Sequence, residues 1–246
     1  RTLGWKGWRK NCKNINKKMK SQIRESFLRT KLKTYIPFGA QKFLYKYIKK
    51  YRIVRNKANN SYNKEDIKEF LINAGLKKGE VLMVHSSLSR IGFVEGGVLS
   101  LINALIEVIG VEGTLVMPTF SSLYFDDEIG EYVFDVNKTE AYTGKVPDTF
   151  RTLEGVERSL SPLHSVAVYG KRKEWFVKDH EKCDNGYSME GPFGKLYESD
   201  AKIVLIGVDQ LANSSIHIVE NKCKFPIKVF GDALNGIVKD NNGKEK

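Results

Sequence analysis

The sequence has few cysteines, and none lies in a pattern that binds metal or builds a disulfide framework. Its three cysteines, Cys12, Cys183 and Cys223, are scattered over 246 residues without a Cys-x-x-Cys pair. This usage indicates reduced thiols in a reducing compartment. The four histidines show neither His-x-His nor His-Glu-x-x-His spacing, so we expect no metal site.

Long apolar runs and nucleotide-binding motifs are also missing. No stretch of 18 apolar residues predicts a membrane span, and the first residues lack the apolar segment of a secretory signal peptide. The motifs Gly-x-Gly-x-x-Gly, Gly-x-x-x-x-Gly-Lys-Ser/Thr and Gly-x-Ser-x-Gly do not occur. Their absence argues against Rossmann and P-loop nucleotide sites and against a serine hydrolase of the nucleophile-elbow type.

Acidic residues are nearly absent from the first quarter of the chain. The chain has 41 Lys and Arg against 29 Asp and Glu, but residues 1–60 contain 19 of the bases and a single acid, Glu25. We therefore predict a basic, helical N-terminal extension over residues 1–60 and a main domain over residues 61–246.

The segment Gln41–Arg52 of this extension has the pattern of a basic amphipathic helix. Three partners remain open for it, in order of preference. It docks on its own domain or on a second subunit of a homo-oligomer, it lies on an anionic membrane surface, or it binds a polyanion such as nucleic acid. We expect a cytoplasmic protein, with peripheral contact to the inner membrane surface as one alternative.

Helix and strand patterns alternate in residues 61–246. Asn63–Ala74 and Val98–Ile109 have helical spacing, and Val81–Val84 and Thr114–Met117 are apolar strands. We predict an α/β fold with a mixed central sheet and flanking helices. Three further expectations are an irregular segment 120–138, a buried strand 203–208 and a last helix that carries His217 and Glu220.

His164 precedes the alternating apolar residues Val166 and Val168, so we predict that it lies at the entrance of a strand. A histidine there is either a general base, because imidazole is mostly neutral at pH 7, or a core residue bonded to a carbonyl. Ser165 points to the opposite face of the strand and is not its nucleophile partner. A carboxylate that orients this base would be Glu198 or Glu220.

His85 follows the first strand, and Gly96 and Gly97 precede a helix. The free N–H groups at such a helix start, together with the helix dipole, favour a phosphate, although glycines at this position also occur simply as turn residues. Acids between Asp126 and Asp135 either attract a cationic substrate or form a solvated loop.

Four blocks in order carry a resemblance to a known family. They are VHSSLSRIGFVEGG (Val84–Gly97), GTLVMPTF (Gly113–Phe120), the segment Phe134–Gly170 that contains RSLSPLHSVAVYG, and GPFGKLYESDAKIVLIGVDQLANSSIHIVE (Gly191–Glu220). Together they resemble the aminoglycoside 3-N-acetyltransferase family, also called antibiotic N-acetyltransferases. Because family members usually continue past this point, we expect the domain to be truncated at Lys246.

The resemblance implies an acetyl-CoA-dependent enzyme, without a metal, that acetylates an amine of an amino sugar. It implies His164 as the base and Glu198 as the carboxylate paired with it, while Glu220 stays the second candidate for that catalytic role. It also implies that His217 and Glu220 border the acceptor, and the acids Asp126 and Asp135 are the candidates to attract it by charge. The residues implied for CoA are His85, Ser86, Ser87, Leu88, Gly96, Gly97, Thr119 and Ser165.

The sequence departs from the family pattern on the acceptor side. Ser161 and Leu163 stand where the family often has histidine and threonine. The acceptor implied is therefore an aminoglycoside, as in antibiotic resistance, or a nucleotide-linked or lipid-linked amino sugar of surface polysaccharide synthesis. The competing interpretation is a non-catalytic protein whose basic extension binds a polyanion or a membrane surface.

Overall fold

The structure is a computed structural model that describes residues 61–122, 124–223 and 236–245. The predicted helical extension over residues 1–60, with its membrane, polyanion or subunit surface, lies outside these residues. The elements of the described part are, in chain order, β1 (Ser61–Tyr62), α1 (Lys64–Asn73), β2 (Val81–Ser86), α2 (Leu88–Ile91), β3 (Phe93–Val94), α3 (Gly97–Ile109), β4 (Thr114–Pro118), β5 (Tyr124–Asp126), β6 (Glu131–Asp135), α4 (Lys145–Phe150), β7 (Glu157–Arg158), β8 (Val166–Gly170), α5 (Lys173–Val177), a 3₁₀ turn (His180–Lys182), α6 (Pro192–Glu198), β9 (Lys202–Ile206), two 3₁₀ turns (Gln210–Ala212 and Ser214–Ile216), α7 (His217–Lys222) and β10 (Gly236–Lys239).

The first helix begins where the sequence predicts it. The Asn63 side chain accepts a hydrogen bond from the Asp66 N–H at 3.0 Å, and the Asp66 carboxylate accepts one from the Asn63 N–H at 2.8 Å. This reciprocal capping box satisfies two N–H groups that the helix itself cannot. The helix then buries Ile67 and Leu71 against α3.

A five-stranded mixed sheet forms the centre, in the order β7-β8-β4-β2-β9. Strand β2 runs parallel to β4 and β9, while β8 is antiparallel to β4 and β7. All five residues of β4 are buried, as expected for a central strand covered on both faces. The mixed α/β fold with flanking helices is therefore confirmed.

Two apolar clusters cover the two faces of this sheet. On one face, α3 packs Leu101, Leu105 and Ile109 against alternate residues of β2, β4 and β8. The other face is covered by four aromatic side chains, which pack against the strand residues that alternate with those of the first cluster. These aromatic residues are Phe120, Phe176, Phe193 and Tyr187. Because strand side chains alternate between faces, His85 shares the second face with Met83.

Three elements differ from their predictions. Segment 120–138 is not irregular, because Tyr124, Phe125 and the residues of β6 form an antiparallel hairpin, to which β10 adds in parallel. Acidic residues cluster around the turn of this hairpin, and their low strand propensity outweighed that of the neighbouring aromatic and β-branched residues in the prediction. Strand β2 extends through Ser86, so His85 lies within it. Strand β9 is half-buried rather than buried, and Ile203 is 38% exposed.

Candidate active site

His164 lies in the turn that leads into β8 and is half-buried. The backbone on either side of it is fixed. The Ser121 hydroxyl donates to the Pro162 carbonyl, and the Thr119 N–H donates to the Ser165 carbonyl at 2.8 Å. These two bonds tie the residues on either side of His164 to the segment that directly follows β4.

Aromatic rings surround the His164 imidazole. The ring centroid of Phe120 lies 5.3 Å away in an edge arrangement, and that of Tyr187 lies 4.8 Å away. Burial lowers the pKa of His164, and the nearby His217 lowers it further. The imidazole is therefore neutral at pH 7 and able to accept a proton.

A second histidine lies on the other side of Tyr187. The ring centroids of Tyr187 and His217 are 4.9 Å apart, and His217 Nδ1 is 2.5 Å from the Glu220 carboxylate. Both residues belong to α7, where a spacing of three residues places them on one face. The structure thus brings His164, His217 and Glu220 together around one tyrosine.

Glu198 is the predicted carboxylate that the structure does not bring to His164. It is the last residue of α6 and is exposed. Among the described residues, no hydrogen bond or ion pair joins His164 to any carboxylate. Of the two predicted acids, Glu220 is therefore the one with a structural link to the His164 surroundings.

Arg158 is a buried cation beneath the site that the sequence reasoning missed. Its guanidinium donates to the Ser165 hydroxyl at 3.1 Å and to the carbonyls of Thr119 at 2.6 Å, Thr139 at 2.5 Å and Val136 at 3.3 Å. Burial lowers the pKa of Arg158 to about 10, so it stays charged at neutral pH. The available sequence signal was its position at the head of the block RSLSPLHSV.

Thr119 and Ser165, both predicted to contact CoA, are fully buried in this network. Their hydroxyls lie 3.2 Å apart, and the Ser165 hydroxyl also donates to the Thr119 carbonyl at 2.7 Å. These hydroxyls are therefore committed to internal bonds that join β4 to the entrance of β8.

The other predicted CoA residues lie at the carboxyl end of β2 and at the start of α3. His85 Nε2 and Ser86 Oγ are buried without a hydrogen-bond partner among the described residues, and the two side chains leave the strand on opposite faces. Burial lowers the pKa of His85 to about 4. Ser87 precedes α2, which Leu88 begins.

The start of α3 has the backbone of an anion site. Gly96 and Gly97 have φ angles of 72° and 66°, which glycine adopts without the strain of a Cβ atom. Within the described residues, no side chain caps this 13-residue helix, and its first turn contains no acid. Its first N–H groups are therefore available to a phosphate.

The two acids predicted to face the acceptor stabilise turns. The Asp126 carboxylate accepts from the N–H groups of Glu128 and Ile129, and that of Asp135 accepts from those of Asn137 and Lys138. Both lie on the β5–β6 hairpin, whose negative charge remains on the surface.

Residues 61–122, 124–223 and 236–245 contain no group of three or more His, Cys, Asp or Glu side chains arranged to hold a metal ion. None of the helices described is both long and apolar enough to span a membrane.

Comparisons with known proteins agree on one family. The sequence model of the aminoglycoside 3-N-acetyltransferases matches residues 83–246. The chain is 32% identical over 180 residues to the SPbeta prophage-derived aminoglycoside N(3')-acetyltransferase-like protein YokD of Bacillus subtilis, which covers 66% of each chain. It is 37% identical over 161 residues to aminoglycoside N(3)-acetyltransferase IV of Salmonella sp, covering 65% of this chain and 59% of the relative.

Solved structures show the same fold. The crystal structure of aminoglycoside acetyltransferase AAC(3)-IVa is similar with a TM-score of 0.61 and 32% identity, covering 68% of this chain and 63% of the other. AAC-IIIb in a binary complex with CoASH has a TM-score of 0.66 and 25% identity, covering 76% and 75%. The chain spans about three fifths to two thirds of the length of the curated relatives described above.

Proposed function

The chain belongs to the aminoglycoside 3-N-acetyltransferase family, and from that premise we propose that it transfers an acetyl group from acetyl-CoA to an amine of an amino sugar. The observation that supports this most directly is the half-buried His164, held between Phe120 and Tyr187 beside the His217–Glu220 pair. A neutral imidazole in that position is what proton removal from an attacking amine requires.

We assign the general base to His164. As the unprotonated acceptor amine forms its bond to the acetyl carbonyl carbon, the nitrogen becomes acidic and His164 takes the proton. The carbon–sulfur bond then breaks, and the proton passes from the imidazolium to the departing thiolate, which leaves as a thiol. The products are an N-acetylated amine and free CoA, and His164 is neutral again.

We assign the supporting carboxylate to Glu220. Its 2.5 Å contact with His217 Nδ1 places a negative charge beside the ring that packs on Tyr187, and this charge favours the imidazolium that forms on His164. Glu198 is exposed at the end of α6, where water screens its charge. His217 and Glu220 would then also border the acceptor.

The residues at the end of β2 and the start of α3 fit acetyl-CoA, which supplies the activated acetyl thioester. On the α3 side of the sheet, the unpartnered Ser86 hydroxyl offers a polar contact, and the N–H groups after Gly96 and Gly97 offer anion contacts. On the opposite side, His85 offers its unpartnered Nε2. Ser87 and Leu88 follow directly. We give Thr119 and Ser165 a supporting role beneath His164, because their hydroxyls already bond within the protein.

The acceptor is proposed to be a polycation. The acids of the β5–β6 hairpin, Asp126 and Asp135 among them, provide negative charge that attracts such a molecule. A histidine-to-alanine variant of AAC(3)-IVa has been solved with a gentamicin and with apramycin. These two aminoglycosides are therefore the first acceptors to test, followed by nucleotide-linked and lipid-linked amino sugars.

The test is a thiol-release assay with acetyl-CoA and this acceptor panel. The change His164→Ala should lower kcat by about 10²–10⁴-fold, the usual contribution of a positioned base. Near-normal transfer by a folded His164→Ala protein would refute the base assignment. Glu220→Gln and Glu198→Gln form a matched pair of carboxylate changes, and a larger loss at Glu198 would reverse the choice of carboxylate.

A further inference from the structure

Gly186 lies directly against the imidazole of His164. A Cβ atom built at position 186 would overlap Cβ and Cγ of His164 and would lie 2.5 Å from Nδ1. Gly186 is buried, and its φ angle is outside the positive range, so its backbone conformation does not itself require glycine. The glycine is required by the contact, and the His164 ring rests on the main chain of Gly186.

A buried histidine holds that main chain. His180 is 2% exposed, with Nε2 3.4 Å from the Gly186 carbonyl and Nδ1 2.8 Å from the Ser159 hydroxyl. The Ser159 hydroxyl in turn accepts a hydrogen bond from the N–H of Val166, the first residue of β8, at 2.9 Å. A continuous series of bonds therefore runs from β8 through Ser159 and His180 to Gly186.

These bonds fix the tautomer of His180. Because the Gly186 carbonyl can only accept, its contact with His180 requires the ring proton on Nε2, so the O–H of Ser159 donates to the unprotonated Nδ1 of the neutral ring. Nδ1 is then the acceptor, and the proton on Nε2 is donated to the Gly186 carbonyl. A protonated His180 would carry a hydrogen on Nδ1 as well, and the Ser159 hydroxyl would then have to turn and accept instead of donating.

The surroundings keep His180 neutral. Burial lowers the pKa of His180 to about 4, and the nearby charges of His164 and Lys195 lower it as well, whereas the Gly186 carbonyl and Glu181 act in the opposite direction. The arrangement of donors described above therefore persists across the neutral pH range.

We propose that Ser159, His180 and Gly186 form a support network that sets the position of the His164 ring. His180 is a positioning residue in this network, since it acts on His164 only through the Gly186 main chain. The inference rests on the proposed function, in which His164 is the base, but the network itself can be tested without any turnover.

Three substitutions separate the two bonds of His180. The change His180→Leu removes both of them. His180→Gln places an amide near the position of Nε2 and can restore the bond to Gly186, while His180→Asn places one near Nδ1 and can restore only the bond to Ser159. The matched control is Phe176→Leu, a change at a fully buried ring of the same apolar cluster.

Two quantities are measured for each variant, in each case on the folded, full-length protein. The first is kcat and KM for acetyl-CoA. The second is the titration of His164 by imidazole NMR, which is feasible because the chain has four histidines and because His164→Ala identifies the signal.

We expect His180→Leu to lower kcat by about 10–100-fold with KM within about twofold, since small misplacements of a catalytic group have effects of that size. The His164 titration midpoint should rise toward about 6.5, because a loosened ring gains water. His180→Gln should bring kcat and the His164 midpoint closer to their wild-type values than His180→Asn does. Phe176→Leu should lower Tm but leave kcat and the His164 midpoint unchanged.

A folded His180→Leu protein with the wild-type kcat and the wild-type His164 midpoint would overturn the network, as would a Phe176→Leu protein that reproduces both shifts. Failure of the proposed function looks different. If His164→Ala retains activity while the His164 midpoint still shifts in His180→Leu, the network stands and the base assignment falls.

Discussion

Replacing Gly186 by alanine tests how closely the position of His164 is set. The new Cβ atom would lie 2.5 Å from His164 Nδ1, whereas ordinary contacts begin at 3.4 Å. Either the ring or the main chain at position 186 must therefore move by about 1 Å in a close-packed interior. A displacement of this size costs about 10²-fold in rate, which corresponds to about 2.7 kcal/mol of activation free energy.

We expect Gly186→Ala to fold, because overpacking by one methyl group costs about 1–3 kcal/mol of stability. Its kcat should fall by about 10²-fold, while KM for acetyl-CoA should change little. The assay is thiol release at saturating acceptor, together with a thermal melt.

The control is Gly75→Ala. Gly75 has a φ angle of 91° and no atom within 4 Å of a built Cβ, so alanine there adds backbone strain of about 1 kcal/mol without a steric contact. It should lower Tm and leave kcat unchanged. A folded Gly186→Ala enzyme with kcat within about twofold of wild type would refute the argument, and so would an equal loss of kcat in Gly75→Ala.

Three further results are expected. The profile of kcat/KM against pH, divided by the fraction of acceptor present as free amine, should be flat at neutral pH. Below a midpoint under about 6.5 it should fall about tenfold per unit, because the pKa of His164 is lowered. A midpoint above that value would contradict the burial of His164. The pKa values of His85 and His180 lie at about 4 in the folded protein and at about 6.5 in the unfolded chain. Between about pH 4 and pH 6.5 the unfolded chain therefore binds more protons than the folded protein. The free energy of unfolding, measured in urea, should fall by about 2 kcal/mol per histidine from pH 7 to pH 5. Equal stability at both pH values would count against neutral, buried side chains at His85 and His180. Arg158→Met should lower the free energy of unfolding by about 3–5 kcal/mol, because it leaves buried carbonyls without donors. Arg158→Lys should recover only part of this stability, since one ammonium group does not reproduce the several donors of a guanidinium. An unchanged Tm in Arg158→Met would contradict the role of the buried cation.

The central elements could be predicted from the sequence because their local signals agree with the fold. The capping residue Asn63, the helical spacing of Val98–Ile109 and the apolar run of β4 each specify one element, and all three appear with nearly the predicted bounds. The sequence predicted one last helix for His217 and Glu220, which are three residues apart, and the two side chains are in contact.

The support of the site could not be predicted in the same way. Arg158 and His180 act through carbonyls and hydroxyls that are distant in sequence, such as Thr119 and Gly186, and no local pattern encodes such a pairing. The choice between Glu198 and Glu220 likewise depended on exposure, which follows from where α6 ends and not from the motif around it. The hairpin was missed because the acids of its turn outweighed its strand formers.

Strand β10 has a consequence for the order in which this domain assembles. Residues Gly236–Lys239 pair with β6, and the Lys239 carbonyl accepts from the N–H of Val136 at 3.1 Å. The carbonyls of Val136 and Thr139, which follow β6, are also acceptors of Arg158. On the ribosome, β6 emerges long before its partner, and pairing between segments so distant in sequence is slow. The segment that supplies the Arg158 acceptors therefore gains its strand partner only after β10 has emerged. In a refolding experiment, the return of activity should lag behind the return of the central sheet.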